Sequence, residues 1–232
     1  AELESLALGG DLYATAYIAH IDVWTDKFEE VFDRIQVLRH AQEKKLLRHY
    51  YEALQFYYAR KDNKAKRLEI LEEGIALTDS RYCRFVLNDI KRADATSSVE
   101  LERLIPEYHE LFEYGMMDAA VQIALIKLQG LSNTNQVKED FEQPLWYLQK
   151  AYDYNNIYAG YRLACLYLYN DTLQDIERGL SLLQLLDQRD DYVEAQVELA
   201  EILLEGRFLP RDEKSAFQKF SALAKKNIAY AK

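Results

Sequence analysis

Glycine and proline are scarce in this chain, with 8 and 3 among its 232 residues. Few positions are therefore suited to the tight turns that an assembly of many short strands requires. Leucine, alanine, glutamate, lysine and glutamine, which all favour helices, are abundant instead. This composition predicts an all-α protein.

Long apolar runs are missing as well. No stretch approaches the ~20 consecutive apolar residues of a membrane-spanning helix, so we predict no membrane span in this chain. Residues 1–4 lack the basic and then apolar pattern of a signal peptide. Residues 6–11 resemble the end of a helical hairpin and residues 227–231 the start of another. We therefore expect the chain to be a fragment of a longer array whose targeting signal lies outside it.

A surplus of basic charge is also absent, because 29 Lys and Arg residues stand against 39 Asp and Glu residues, a net charge of −10. Proteins that bind nucleic acids need a basic surface that neutralises phosphates, so we predict no nucleic-acid partner. Basic residues do cluster between Lys44 and Arg67. We interpret them as solvated helix faces, with contact to an acidic membrane or polymer as the alternative.

Cysteine is limited to Cys83 and Cys165, which are 82 residues apart. A disulfide requires Cα atoms within about 7 Å, and hairpins two or more repeats apart in a stacked array are separated by more than that. We predict two buried free thiols, which leave the redox compartment open.

Motifs for metal binding or catalysis are missing too. No histidine belongs to a metalloprotease pair or lies beside a cysteine at ligand spacing, and Asp187, Asp190 and Asp191 lack the pattern of a calcium loop. No glycine-rich phosphate loop or serine elbow is present. We predict no metal, no cofactor and no enzymatic activity. The four histidines are His20, His40, His49 and His109.

What the sequence does contain is a repeated phrase. The hexapeptide AGYRLA at 159–164 returns 36 residues later as AQVELA at 195–200, and AAVQIA at 119–124 is a copy 40 residues earlier. A period of ~35 to 40 residues is typical of stacked helical hairpins. Such an array has an extended curved surface and no enclosed pocket, which favours binding over catalysis.

Apolar residues recur at three- and four-residue steps, and this periodicity predicts pairs of helices. Two segments have the spacing of a capping box, Ser97 with Glu100 and Thr172 with Asp175, and Asp212 is placed to cap a further helix. The predicted pairs are 12–24 with 27–43, 46–60 with 64–77, 80–92 with 98–114, 117–129 with 141–154, 158–169 with 175–188, and 192–205 with 212–226.

Small residues recur at equivalent offsets of these pairs, where neighbouring helices have to approach closely, and a glycine ends some helices because it tolerates the left-handed conformation. We predict that bulky substitution separates the layers. The predicted structural residues of the repeat are Ala159, Ala164, Gly179, Ala195, Ala200, Gly206 and Ala216.

Residues 195–217 resemble a Sel1-like repeat, a relative of the tetratricopeptide repeat. The resemblance implies a right-handed α-solenoid superhelix of about six hairpins. We expect it to be continuous over residues 1–232, irregular in 1–116 and clear in 117–232. The matching features are Ala195 and Ala200, Gly206 at the end of a helix, a loop ending in Asp212, and Ala216 followed by Phe217.

Segments 72–83, 159–171 and 204–212 are similar to the periplasmic lipoprotein scaffold of alginate-type exopolysaccharide secretion. This similarity implies a protein at the inner face of the outer membrane. Such a protein binds an export porin and holds polymerisation and modification enzymes in one assembly.

Tyrosine is unusually frequent, with 18 residues. Its ring suits helix packing and its hydroxyl suits protein interfaces. We expect most of the rings to pack between helices and four of them, Tyr50, Tyr57, Tyr154 and Tyr158, to contact a partner.

The sequence therefore predicts a non-catalytic protein-interaction scaffold. Two alternatives stay open: a tyrosine-lined groove that binds a carbohydrate polymer, and a cytoplasmic or secreted Sel1-type adaptor. The acidic surplus argues against capture of an anionic polymer, because like charges repel at low salt.

Overall fold

Helices are the regular elements of this protein. A computed structural model describes residues 2–22, 25, 27–131, 137–189 and 192–225, and it contains no β-strand within them. The prediction of an all-α protein is confirmed. Within the same residues, no helix combines the length and the apolar character that crossing a bilayer requires.

Fourteen α-helices form over the described residues, with short 3-10 helices at Gln36–Leu38 and Lys138–Phe141. Each α-helix is numbered in chain order. They are α1 (Glu2–Leu8), α2 (Leu12–Asp22), α3 (Phe28–Ile35), α4 (Lys44–Arg60), α5 (Lys64–Thr78), α6 (Arg81–Asp94), α7 (Ser98–Glu102), α8 (Ile105–Glu113), α9 (Met117–Leu131), α10 (Glu142–Asp153), α11 (Ile157–Tyr169), α12 (Ile176–Asp187), α13 (Val193–Glu205) and α14 (Glu213–Lys225).

The chain divides into two compact units, Ala1–Glu100 and Leu101–Lys232. In the first unit α4 is the central helix, because it packs against α2, α3, α5 and α6. Val31 and Ile35 of α3 and Leu38 of the following 3-10 helix are fully buried in this unit. They are four and three residues apart, so they share one helical face.

In the second unit each helix from α8 to α14 packs against the next one in the chain. The contacts are therefore local, as in stacked hairpins. Ala164 and Leu168 of α11, Leu183 of α12, and Ala195 and Leu199 of α13 share one buried apolar cluster. The prediction that the two units form one continuous array stays a prediction.

The six predicted helix pairs correspond to observed helices, with two differences. The predicted helix 98–114 is divided into α7 and α8, and Pro106 lies in the first turn of α8. Because proline has no N–H and its ring clashes with the carbonyl four residues earlier, an unbroken helix is unfavourable there. The predicted helix 27–43 ends at Ile35 and continues only as the 3-10 helix Gln36–Leu38.

Helix caps agree with the sequence in part. Asp212 accepts a hydrogen bond from the Ser215 backbone N–H at 3.0 Å, as predicted. The prediction of a capping box at Thr172 is wrong, since α12 begins later and Asp175 is its N-cap, accepting from the Arg178 N–H at 3.1 Å. At Ser97 the hydroxyl does accept from the Glu100 N–H.

The small residues of the predicted repeat lie inside the second unit. Gly206 ends α13 with a φ of 71°, in the left-handed region that favours glycine. A methyl group on Gly179 would lie 2.7 Å from Leu168 Cγ and 3.1 Å from the Ala164 carbonyl oxygen, so α11 and α12 approach closely here. The five alanines of the predicted repeat have no exposed surface, and they are Ala159, Ala164, Ala195, Ala200 and Ala216.

The remaining predictions concern the end of the chain, the acidic turn and the two cysteines. The hairpin start predicted at 227–231 lies outside the described residues, as do Asp190 and Asp191 of the acidic turn. Both cysteines are free, and Cys83 is buried whereas Cys165 is half-buried.

Candidate functional site

The four tyrosines predicted to contact a partner lie in different surroundings. The prediction for Tyr50 is wrong, because it is 5% exposed and its ring packs edge-on against Tyr51. Tyr57 is half-buried, with its ring centroid 5.2 Å from that of Phe32. Tyr154 and Tyr158 are 62% and 41% exposed. The exposed pair flanks the turn between α10 and α11.

Tyr154 closes α10, and Lys150 lies one turn before it with its Nζ 5.3 Å from the ring centroid. Tyr158 is in the first turn of α11, where the Asn156 side chain caps the helix by accepting from the Ala159 N–H at 2.9 Å. Local helix geometry therefore holds Tyr158 at the start of α11.

A carboxylate on α13 joins two further tyrosines of α11. Tyr161 donates its hydroxyl to Glu198 Oε2 at 3.1 Å, and Tyr169 donates to Glu198 Oε1. The ring of Tyr192, just before α13, lies 5.7 Å from that of Tyr161. Tyr158 lies near Tyr192, and Glu201 and Glu205 lie near Glu198, so we name this whole group the α11–α13 surface.

Burial and the neighbouring carboxylate shape the electrostatics of this surface. Burial, and secondarily Glu198, raises the pKa of the Tyr169 hydroxyl, and burial is also the main cause of the raised pKa values of Tyr161 and Tyr192. These phenols are therefore neutral hydrogen-bond donors. Burial, followed by Glu198 and Glu205, raises the pKa of the Glu201 carboxyl.

The α11–α13 surface thus combines aromatic rings with a row of carboxylates. Glu198, Glu201 and Glu205 are spaced three and four residues apart, which places them on one face of α13. The Tyr192 hydroxyl is buried and has no hydrogen-bond partner among the described residues. Tyrosine is enriched at protein interfaces, where its ring supplies apolar contact area and its hydroxyl a hydrogen bond.

The sequence predicts helix packing for Tyr161 and Tyr169 and does not predict the carboxylate that they share. Tyr161 and Glu198 are 37 residues apart, nearly one repeat, which is the separation expected of residues that face each other on successive first helices. The repeat period therefore indicates that Tyr161 and Glu198 can face each other.

A second cluster of polar side chains lies in the first unit. His20 Nε2 on α2 is 3.2 Å from His49 Nδ1 on α4, and the two rings meet edge-on. Glu52 Oε2, one turn after His49, is 4.0 Å from His20 Nε2 and 3.8 Å from His49 Nδ1. The other carboxylate oxygen of Glu52 accepts from the Ser80 hydroxyl at 2.7 Å.

Burial lowers the pKa of both imidazoles, with a smaller contribution from His49 at His20 and from Lys45 and Arg48 at His49. Burial also raises the pKa of the Glu52 carboxyl, although the Ser80 hydrogen bond acts in the opposite direction. The sequence does not predict this cluster, because His20 and His49 are 29 residues apart and match no metal motif.

Comparisons with known proteins show what this fold resembles. No model of a known protein family matches the sequence, and no curated protein matches it. A Sel1 repeat protein from Oxalobacter formigenes superposes with a TM-score of 0.65 at 18% identity, covering 93% of this chain and 88% of that one. The chain has the fold of a Sel1 repeat protein.

A second solved structure shares this fold. It is a protective antigen present in uropathogenic Escherichia coli strains, which displays an SLR fold, and it superposes with a TM-score of 0.61 at 15% identity. The match covers 99% of this chain and 49% of that one. The predicted α-solenoid of Sel1-like hairpins is confirmed by both neighbours.

Proposed function

We propose that this protein is a non-catalytic scaffold that binds a protein partner through the α11–α13 surface. The observation that carries the proposal is that Tyr161 and Tyr169 share the Glu198 carboxylate, while Tyr158, three residues before Tyr161 on α11, is exposed. Tyrosines held by a hydrogen-bonded framework lose little conformational freedom on binding, so they make effective contacts at interfaces.

The chemistry of this surface favours a partner with basic side chains. Glu201 and Glu205 are exposed and lie on the same face of α13 as Glu198. Glu205 also pairs with Arg207 at 3.2 Å, so Glu201 is the carboxylate most open to a partner. Lysine or arginine of a partner would complement these carboxylates, whereas an anionic polysaccharide would be repelled by them. Direct capture of a uronate polymer is therefore the weaker alternative.

We further propose that the partner belongs to a bacterial envelope complex for exopolysaccharide export, as the resemblance of segments 72–83, 159–171 and 204–212 implies. In that setting the protein is a periplasmic, outer-membrane-associated scaffold. Its partners are an export porin and polymer-modifying enzymes.

Site-specific photo-crosslinking tests the protein-binding surface. The photoreactive residue p-benzoylphenylalanine replaces Tyr158, and the chain is irradiated with an envelope extract of the organism that makes it. We expect a discrete protein adduct, because Tyr158 borders the proposed interface. Adding Glu201→Lys should remove the adduct, since it reverses the charge that attracts the partner.

The matched control places the same photoreactive residue at Phe217 on α14, which is 72% exposed and lies outside the α11–α13 surface. Equal adducts at both positions, or an adduct at Tyr158 that is unchanged by Glu201→Lys, would contradict the proposal. A parallel titration with oligouronates at low ionic strength tests the alternative. Saturable binding lost on Tyr154→Ala or Tyr158→Ala would support polymer capture instead.

A further inference from the structure

Within the part of the chain that the structure describes, one group of three potential metal-ligating side chains converges, and it consists of His20, His49 and Glu52. The three ligand atoms are separated by 3.2, 3.8 and 4.0 Å. A point equidistant from these three atoms and in their plane lies about 2.1 Å from each, which is the length of a zinc bond to nitrogen or oxygen. Tetrahedral coordination with bonds of that length places ligand atoms about 3.4 Å apart, so a movement of Glu52 Oε2 by roughly half an ångström towards the imidazoles completes the geometry.

The donor types also suit zinc. Two imidazole nitrogens and one carboxylate oxygen form a ligand set that zinc uses at sites with an open fourth position. Magnesium and calcium prefer oxygen ligands, so the two imidazoles disfavour them.

The surrounding structure positions the ligands. His49 and Glu52 are three residues apart on α4, so both project from one face of that helix. The hydroxyl of Ser80, which is buried at the N-cap of α6, donates to Glu52 Oε1 and leaves Oε2 directed towards the imidazoles. Hydrogen bonds of this kind orient the carboxylate ligands of metal sites.

An ion can reach this group from solvent. His20 and His49 line an open cavity between α1, α2 and α4, together with Tyr13, Tyr17 and Lys45. The side chains of His20 and His49 are 33% and 30% exposed, whereas that of Glu52 is 12% exposed. Water can therefore take a fourth position, and the positive charges of Lys45 and Arg48 near His49 moderate the affinity for a cation.

We propose that His20 Nε2, His49 Nδ1 and Glu52 Oε2 bind one zinc ion, which links the last turn of α2 to α4. This site is independent of the α11–α13 surface, since it lies in the other unit of the chain. Bound zinc would stabilise the first unit, because an ion that binds only the folded state adds to its stability.

Calorimetric titration of the tag-free chain tests the site. The protein is treated with EDTA, desalted and titrated with zinc chloride, and we expect one ion per chain with a micromolar dissociation constant. Zinc should raise the unfolding temperature and magnesium should not. His20→Gln or His49→Gln should weaken binding by more than the 10- to 100-fold that loss of a supporting hydrogen bond costs at metal sites.

The matched control is His109→Gln on α8, which removes an exposed histidine that also has a carboxylate nearby, with Glu113 Oε1 at 3.9 Å. This variant should bind zinc like the unaltered chain. Absence of binding, or binding that survives both His20→Gln and His49→Gln, would overturn the proposal. If either variant fails to fold, Co²⁺ absorption of the unaltered chain decides, because weak bands typical of the hydrated ion would also overturn it.

Discussion

Single tyrosines connect helices in this protein in two ways. Tyr51 does so by packing, since a methyl group placed on Gly74 of α5 would lie 2.8 Å from its Cβ atom. Tyr161 and Tyr169 do so by donating their hydroxyls to one carboxylate on the following repeat. Replacing Tyr51 by phenylalanine keeps the ring contact with α5 but removes the hydrogen bond of its hydroxyl to Glu73, and the same change at Tyr161 leaves Glu198 with one donor fewer.

The burial of Cys83 leads to a prediction about its reactivity. Burial raises the pKa of this thiol to about 11, above the ordinary value of about 8.5, and its side chain has no exposed surface. Because the thiolate is the reactive form, we expect Cys83 to react slowly with Ellman's reagent at pH 8 in the folded protein. In denaturant both thiols should react with Ellman's reagent within the mixing time of the measurement.

The variant Cys165→Ser isolates the signal of Cys83 and serves as the control. Burial also raises the pKa of Cys165, so the unaltered protein should show slow reaction at both positions. Rapid release of one equivalent from folded Cys165→Ser would show that Cys83 is accessible. Fewer than two thiols in the denatured, unreduced chain would show that a disulfide forms.

Single-residue exposure is the feature that the sequence predicts least well. Tyr50 and Tyr57 are seven residues apart on α4 and therefore share a face, yet Tyr50 is buried and Tyr57 is half-buried. The exposure of each tyrosine depends on which other helices pack against that end of α4. The sequence of α4 itself does not predict those contacts. Tyr154 and Tyr158 are exposed because they flank a turn, a position that the repeat pattern does indicate.

At the scale of helices, the repeat pattern predicts most of the second unit. The helices α9 to α14 begin and end within a few residues of their predicted positions, because small residues and turn residues recur with the period. The first unit follows the period poorly. The helices α2 and α4 pack against each other although α3 lies between them in the chain. The sequence alone therefore does not predict that His20 and His49 are close together.

The close approach of α11 and α12 at Gly179 leads to a second prediction. Gly179→Ala places a methyl group against Leu168, which is fully buried, and against a backbone carbonyl oxygen. Neither can move aside easily, so we expect the free energy of unfolding to fall by about 1–3 kcal/mol. Urea denaturation followed by circular dichroism measures the change.

Gly130 supplies a matched control, because it is also helical, lies on α9 and has open space within 4 Å of the position that an added methyl group would take. Gly130→Ala should raise the free energy of unfolding by about 0.4–1 kcal/mol, since alanine restricts the unfolded chain more than glycine does. Similar effects of the two substitutions would rule out a tight contact at Gly179.

At the scale of the whole molecule, the local packing of the second unit predicts that it folds alone. Each helix from α8 to α14 packs on its neighbour in the chain, and repeat proteins of this kind owe their stability to intrinsic and nearest-neighbour terms. We expect a fragment of residues 101–232 to be helical by circular dichroism and to unfold cooperatively in urea.

The intact chain tests the further prediction of one continuous array. If the array is continuous, the chain unfolds in a single transition at a higher urea concentration than the fragment, and Gly179→Ala shifts that whole transition. An unfolded fragment would contradict the nearest-neighbour account. Two separate transitions, of which only one responds to Gly179→Ala, would contradict the continuous array.

The pairwise packing of α8 to α14 also bears on how such a chain can evolve. A duplication that inserts one more pair of helices creates new contacts only with the pairs beside it and leaves the others as they were. Length is therefore the property that can change with the least disturbance. The Oxalobacter and Escherichia coli proteins described above differ in that respect, since the match spans 88% of one chain and 49% of the other.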